Sequence, residues 1–377
     1  MPKYMPKYIN GPYNYVQLSG NINNINKNIT LFMDVHLDIN NQTRCDSFDS
    51  SDISQYLYKL IKDTKIPFDF FLEVREEQIK EPITDKREIY IAEVIEMFKT
   101  EFIVEKDKVK YSKSNPYVRL HYLDIRDHLQ FHHITKQLKK GIFPILNSLK
   151  NGYELSQDNS NKINKLEQIK QHIDNIKIHK NTIFKKYINI YNNITKFDKK
   201  TQEYYINKIL HEYKYDNVKK TIKNFFEENF IKFSSKFDEI ISQFNSYIEI
   251  YQKNFNNTSI LSIFYILYNK LYNILMELYA LITDVYFLRR FLDKDYIQNV
   301  ITYCGRNHAL NYIYFLVKYC NFTITKIYDT NGLTIDDIIN KIKETDDLNK
   351  VYNLFLFEGE KPKQCVEKPH YNFLLGW

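Results

Sequence analysis

Ile260, Phe264, Leu267, Leu271, Ile274, Leu278, Leu281, Val285, Leu288 and Leu292 follow one another at spacings of four and three without a break. That rhythm predicts one long helix presenting a continuous apolar seam, about 50 Å long at 1.5 Å per residue. Asn269, Lys270, Asn273, Glu277 and Asp284 interrupt its surface, so a packed bundle helix is expected and a membrane span is not. The chain can sustain such helices because breakers are scarce: 8 Gly and 9 Pro in 377 residues. That scarcity excludes collagen-like, linker-dominated and turn-rich β architectures. Residues 160–255, with Ile, Phe and Tyr three and four apart among Lys, Asn and Glu, read as further amphipathic helices.

The flanks have a different texture. Ile29–His36, Phe68–Glu73 and Tyr117–Asp124 are short, almost wholly apolar runs. Two helical patterns separate them, one carrying Ile53, Leu57, Leu60 and Ile61 and one spanning Ile89–Phe102. Strands apolar throughout are covered on both faces, which predicts a parallel sheet built from βαβ units. The texture returns at Asn299–Cys304 (strand), Ala309–Tyr319 (helix), Phe322–Tyr328 (strand) and a helix from Thr334 to about Ile342. The expected fold is therefore α/β, a mostly parallel sheet with flanking helices, interrupted by a large all-α helical insertion. Residues 1–27 are expected as a flexible, Asn-rich lead-in. Residues 28–127 and 296–345 then form the two parts of the α/β domain, 128–295 the helical bundle, and 346–377 a C-terminal helix and tail.

Net charge is +7, from 53 basic and 46 acidic residues spread along the chain, so no nucleic acid is expected as partner. Cys45, Cys304, Cys320 and Cys365 have no regular spacing. That predicts neither a disulfide framework nor a Cys-rich zinc site, and it points to a reducing compartment. With no signal-peptide pattern at the N-terminus, the chain is expected in the cytoplasm and not secreted.

Ligands of open parallel sheets bind where the strands end. Here the strand ends deliver Asp34 and His36, Glu73 with Arg75, Asp124 with Arg126, and Gly305-Arg306-Asn307-His308, while His121 lies within a strand. Two mechanisms are open. In one, His36, Asp34, Glu73 and His308 hold a divalent ion, Zn, Mn or Fe, that activates water. In the other, His36 is a general base oriented by Glu73, with Arg126 or Arg306 steadying the oxyanion. Arg75, His121, Asp124, Arg126 and Arg306 are the candidate substrate contacts.

Met33-Asp-Val-His36, the acidic strand end Glu73 and Gly305-Arg-Asn-His308 together resemble the superfamily of erythromycin esterase-like, ChaN-like and TraB/Tiki-like proteins. Met33 and Asp34 stand where that pattern has Gly and Glu. The resemblance implies ester hydrolysis, metal-dependent peptide hydrolysis, or haem or iron binding. The texture, including Asp284–Arg290, is similar to uncharacterised proteins of large DNA viruses, which implies the host cytoplasm or the virion as location. The expectation is a hydrolase, metal-dependent under the first of these mechanisms, for an ester or peptide bond of a small-molecule or peptide substrate, catalysed by His36, Glu73 and His308. Its rival is a non-catalytic structural or host-binding protein that works through the helical insertion, with homo-oligomers formed through the 260–292 helix.

Overall fold

The computed structural model describes residues 6–75, 89–101, 112–126, 137–151, 162–175, 209, 211–253, 258–355 and 363–370. The helices expected across 176–208 and the last residues of the tail lie outside them. Two compact units are present, one of residues 1–125, 214–221 and 286–377, the other of 126–213 and 222–285.

In the first unit, β1 (Tyr8–Asn10), β2 (Asn14–Ile22), β3 (Ile25–Asp34) and β4 (Ser50–Asp52) precede α1 (Ile53–Asp63) and β5 (Phe68–Arg75). Helix α2 (Tyr90–Glu101) and β6 (Val118–Asp124) follow. In the second unit the described residues are helical: α3 (Phe143–Asn151), a helix over 162–175, and most of α4 (Asp216–Lys253) and α5 (Thr258–Asp293). The first unit resumes with β7 (Asn299–Gly305), α6 (Arg306–Cys320), β8 (Thr323–Ile327), α7 (Ile335–Glu344), α8 (Leu348–Leu354) and β9 (Cys365–Glu367).

The main sheet has the order β6-β5-β7-β3-β2-β8. Neighbours from β6 to β3 are parallel, while β2 runs antiparallel to both β3 and β8. The sheet is thus mixed, and largely parallel. Residues 8–22, expected as part of a flexible lead-in, instead form β1 and an interior strand of this sheet. Asn23 and Asn24, at φ +51° and +65°, make the two-residue turn that joins β2 to β3. Both turn positions require left-handed backbone, which Asn tolerates, and Tyr15, Val16 and Leu18 are buried. The Asn-rich composition masked a hairpin whose turn depends on Asn.

One face of the sheet, with Phe32, Phe70, Leu72 and Tyr303, packs against Ile53, Tyr56 and Leu57 of α1 and Val94 and Phe98 of α2. Side chains alternate along a strand, so Phe71 faces the other way. There its ring meets Phe287 at 5.0 Å, and Phe287 meets Tyr312 of α6 at 4.3 Å. Lys27 is buried within β3, and burial lowers its pKa to about 8. Its ammonium donates to the carbonyls of Lys294 and Ile297 at 3.0 and 2.7 Å, just past the end of α5, where a cation complements the helix dipole.

Every residue of the 260–292 seam is buried, none more than 8% exposed. Phe264 stacks on Phe244 of α4 at 5.4 Å. The seam is buried inside the chain.

A second, three-stranded sheet has the order β4-β1-β9, with Asn10 opposite Cys365. Cys45 and Cys365 form a disulfide across 320 residues of sequence. The irregular cysteine spacing had pointed away from any disulfide framework. The pairing is made by β1 and β9 meeting in space, and spacing along the chain carries no trace of it.

Candidate functional site

Register places the site. Asp34 pairs with Gly305 across β3 and β7, and Leu72 pairs with Tyr303 across β5 and β7, so three strand ends finish at one edge. Glu73 lies at the centre. Its Oε1 stands 3.3 Å from His308 Nε2, and its Oε2 stands 3.4 Å from His36 Nε2. The backbone N–H of Gly305, the N-cap of α6, donates to Oε2 at 2.5 Å. A carboxylate at a helix N-terminus is favoured by both the free N–H and the dipole. Glu73 is largely enclosed, its side chain 11% exposed, which disfavours its charge, yet the His308 and His36 imidazoles hold its carboxyl well below the usual range.

His36 sits just past β3 at φ +51°. That backbone brings its ring back toward the strand, where Nδ1 lies 3.0 Å from Asp34 Oδ2. Carboxylates therefore flank both ring nitrogens. Burial lowers the imidazole pKa, but the Asp34 and Glu73 contacts outweigh it and raise the value to about 10. His36 is an imidazolium at neutral pH. It is also the open member of the group, its side chain 34% exposed against 8% for His308 and 1% for Asp34.

Gly305 matters for what it lacks. A Cβ there would lie 3.0 Å from both Glu73 Oε2 and His36 Nε2. Its φ is −58°, so the requirement is space and not backbone conformation.

Asp34 is held from behind. Gln364, fully buried and next to the disulfide, donates from Nε2 to Asp34 Oδ1 at 2.7 Å, and the N–H of Val35 donates to the same oxygen at 2.9 Å. Tyr303 lies beside Asp34, and burial together with that charge raises its phenol pKa well above normal. Neither residue was among the sequence candidates. Gln364 lies in a stretch without periodicity, and Tyr303 reads as one more apolar strand position.

The other candidates fall elsewhere. His121 is buried under α5 as part of a second network. Its Nε2 meets Asp69 Oδ1 at 2.5 Å and its Nδ1 meets Arg290 Nη2 at 2.8 Å, while Phe71 stacks on the ring at 4.3 Å. Arg119 closes this network on Asp69 with bonds of 2.8 and 2.6 Å. Burial, then Arg290, lowers the His121 pKa to about 4, so the ring is neutral, and it lies in the core. Arg75 and Asp124 are register neighbours on β5 and β6. Arg126 falls in the other compact unit. Arg306 donates to the Tyr352 carbonyl at 2.8 Å and lies beside the Tyr13 hydroxyl, which ties its guanidinium to α8 and not to the Glu73 carboxylate.

Asp34 and Glu73 occupy opposite nitrogens of one imidazole, so they and His36 cannot all face one ion at bonds near 2 Å. Among the described residues no group of three or more His, Cys, Asp and Glu side chains is arranged to hold a metal ion. The four-ligand set Asp34, His36, Glu73 and His308 does not fit. What these residues form is a chain of ion pairs, Asp34–His36–Glu73–His308, resting on the start of α6.

A family described as a family of unknown function (DUF5847) matches residues 7–372. Among similar proteins of Acanthamoeba polyphaga mimivirus, "Uncharacterized protein R706" is 33% identical over 368 residues, covering 85% of this chain and 86% of its own. "Uncharacterized protein R161" is 28% identical, covering 92% and 94%. "Uncharacterized protein R160" is 29% identical, covering 98% of both chains. No solved structure matches.

Proposed function

The chain belongs to the family of unknown function DUF5847, and we propose from its strand-end site that it is a metal-independent hydrolase of ester or peptide bonds. The observation that carries this reading is Asp34 Oδ2 at 3.0 Å from His36 Nδ1, on a ring whose side chain is 34% exposed. A carboxylate so close stabilises by its charge the imidazolium that forms when Nε2 takes a proton. The likeness of Met33–His36 and Gly305–His308 to the erythromycin esterase-like group points the same way.

In the resting site Nε2 faces Glu73, and His36 is charged. The 3.4 Å contact between them is the longest link in the chain of ion pairs. Water and substrate entering there separate the pair, and His36, left with one carboxylate, drops toward an ordinary histidine pKa. Its neutral Nε2 accepts a proton from water as the water oxygen attacks the carbonyl carbon. The imidazolium then returns that proton to the departing alkoxide or amine as the bond to it breaks. Glu73, anchored by His308 and the Gly305 N–H, holds the water on its other side.

We further read the helical unit as an insertion. β7 follows it in the chain, yet pairs with β3 and β5, which precede it. The alternative role, a non-catalytic binding protein, draws on Ile231, Ile250 and Ile266, which that unit leaves 62%, 46% and 54% exposed. Of the host cytoplasm and the virion, the disulfide suits the latter.

The test is a screen of ester and peptide substrates with wild type, His36→Asn and Glu73→Gln. Asn is chosen because it tolerates the left-handed backbone. The expected result is hydrolysis that both substitutions cut by about 100-fold or more and that chelators leave unchanged. Equal turnover in all three proteins sinks the proposal, and so does loss of activity on chelation.

A further inference from the structure

Behind the Asp34–His36 pair, away from its open side, stands the small sheet that carries the disulfide. Gln364 is locked there by its backbone. Its N–H donates to the Thr43 carbonyl at 2.9 Å, and its carbonyl accepts from the Gly11 N–H at 3.1 Å. Its side-chain amide donates to Asp34 Oδ1 and to the Gly11 carbonyl. The next residue, Cys365, is bonded to Cys45, whose own N–H donates to Asn10 Oδ1 at 2.9 Å. Gln364 directly precedes β9, a strand of three residues. The disulfide ties this short segment to Cys45, and the buried Gln364 amide donates from it to Asp34.

We propose that Gln364 is a positioning residue for the Asp34–His36 pair and that the Cys45–Cys365 disulfide holds it there, which makes the site redox-sensitive. The inference rests on the reading of His36 as the working group. A dithiol reductant supplies two electrons and two protons, breaks the Sγ–Sγ bond, leaves Cys45 and Cys365 as thiols and is itself oxidised to a cyclic disulfide. The segment then keeps its hydrogen bonds to β1, Lys7, Gly11 and Thr43 but has lost its covalent tie to Cys45. Gln364 drifts, and Asp34 loses the donor that aims it at His36. An oxidising setting keeps the site assembled, and a reducing cytoplasm loosens it.

The groups that face His36 are Asp34 and Glu73, with His308 behind Glu73 and Tyr303 beside Asp34. The probe is the His36 ring itself, followed by NMR titration of the full chain and assigned with His36→Asn. Four samples are compared: oxidised wild type, wild type reduced with dithiothreitol, Cys45→Ser/Cys365→Ser, and Gln364→Met, which keeps length and bulk but removes the donor. The last three are expected to show a His36 midpoint lower by about one pH unit or more. On any substrate found, they are also expected to lose about tenfold in kcat with little change in KM. A His36 midpoint equal in oxidised wild type and Gln364→Met overturns the positioning role. A midpoint insensitive to both reduction and the double serine variant overturns the redox link, and should Gln364→Met fail to fold, these two samples decide. The titration needs no turnover, so it gives its answer even if the hydrolase reading fails.

Discussion

Asp34 and His36 touch, Oδ2 to Nδ1 at 3.0 Å, because the chain leaves β3 through a left-handed residue at His36 itself. In extended backbone the two residues would share a face of the strand, set roughly 7 Å apart. The turn instead sets it across the strand end, between its own neighbour Asp34 and Glu73 of another strand. A positive φ in a histidine has a steric cost, and such outliers gather where a side chain must be aimed.

Gly305→Ala places a methyl group 3.0 Å from both Glu73 Oε2 and His36 Nε2. Both are ends of flexible side chains, so the fold should survive with a loss of about 1 kcal/mol or less, while the His36–Glu73 pair is forced apart. We expect unchanged circular dichroism and a lowered His36 midpoint by NMR. An unaltered midpoint would show that the glycine does not guard this contact.

The raised His36 pKa also predicts a stability profile. The folded protein binds this proton more tightly than the unfolded chain, whose ordinary value is 6.5, so the contribution is complete below pH 6.5 and is lost as pH rises through about 10. Urea midpoints of wild type and His36→Asn should thus differ most below pH 6.5 and converge on the alkaline side. A gap that widens with pH would reverse the assignment. The exposure of the ring screens this effect, so the convergence is its signature and its size is modest.

His121 predicts the opposite slope. Its folded pKa of about 4 lies below the ordinary 6.5, so between these values the unfolded chain takes up the proton first and stability falls with falling pH. The slope due to this one group approaches about 1.4 kcal/mol per pH unit. His121→Asn offers Arg290 an acceptor and Asp69 a donor without a titrating ring. Its unfolding free energy should be flatter between pH 6.5 and 4, and an equally steep curve would remove His121 as the cause.

Gly20→Ala tests the strand hidden in the N-terminal segment. A Cβ at Gly20 would lie 2.4–2.6 Å from ring atoms of Phe322, a fully packed aromatic. We expect a loss of about 1–3 kcal/mol in urea unfolding, where a flexible lead-in would show none.

Much of the fold was legible because burial on both faces leaves a simple mark. Phe68–Glu73, Tyr117–Asp124 and Asn299–Cys304 are strands within a residue or two of their apolar runs. The seam of α5 is read correctly as a buried helix from its spacing alone. Where the signal was polar it was lost. The β2–β3 hairpin hides in Asn-rich sequence, and His121, at a strand position between apolar neighbours, gives no sign that Asp69 and Arg290 occupy both its nitrogens.

The sequence by itself determined which side chains arrive at the strand ends: Asp34, His36, Glu73 and His308 follow from where apolar runs stop. Local pattern can do this because burial acts on each residue where it stands. Only the tertiary structure decided that β7 lies between β3 and β5, and so that His308 and His36 share Glu73 between them. It alone joined Cys45 to Cys365 and set Gln364 behind Asp34. Those contacts link residues hundreds of positions apart, and they depend on strand order and register, which no single stretch of chain encodes.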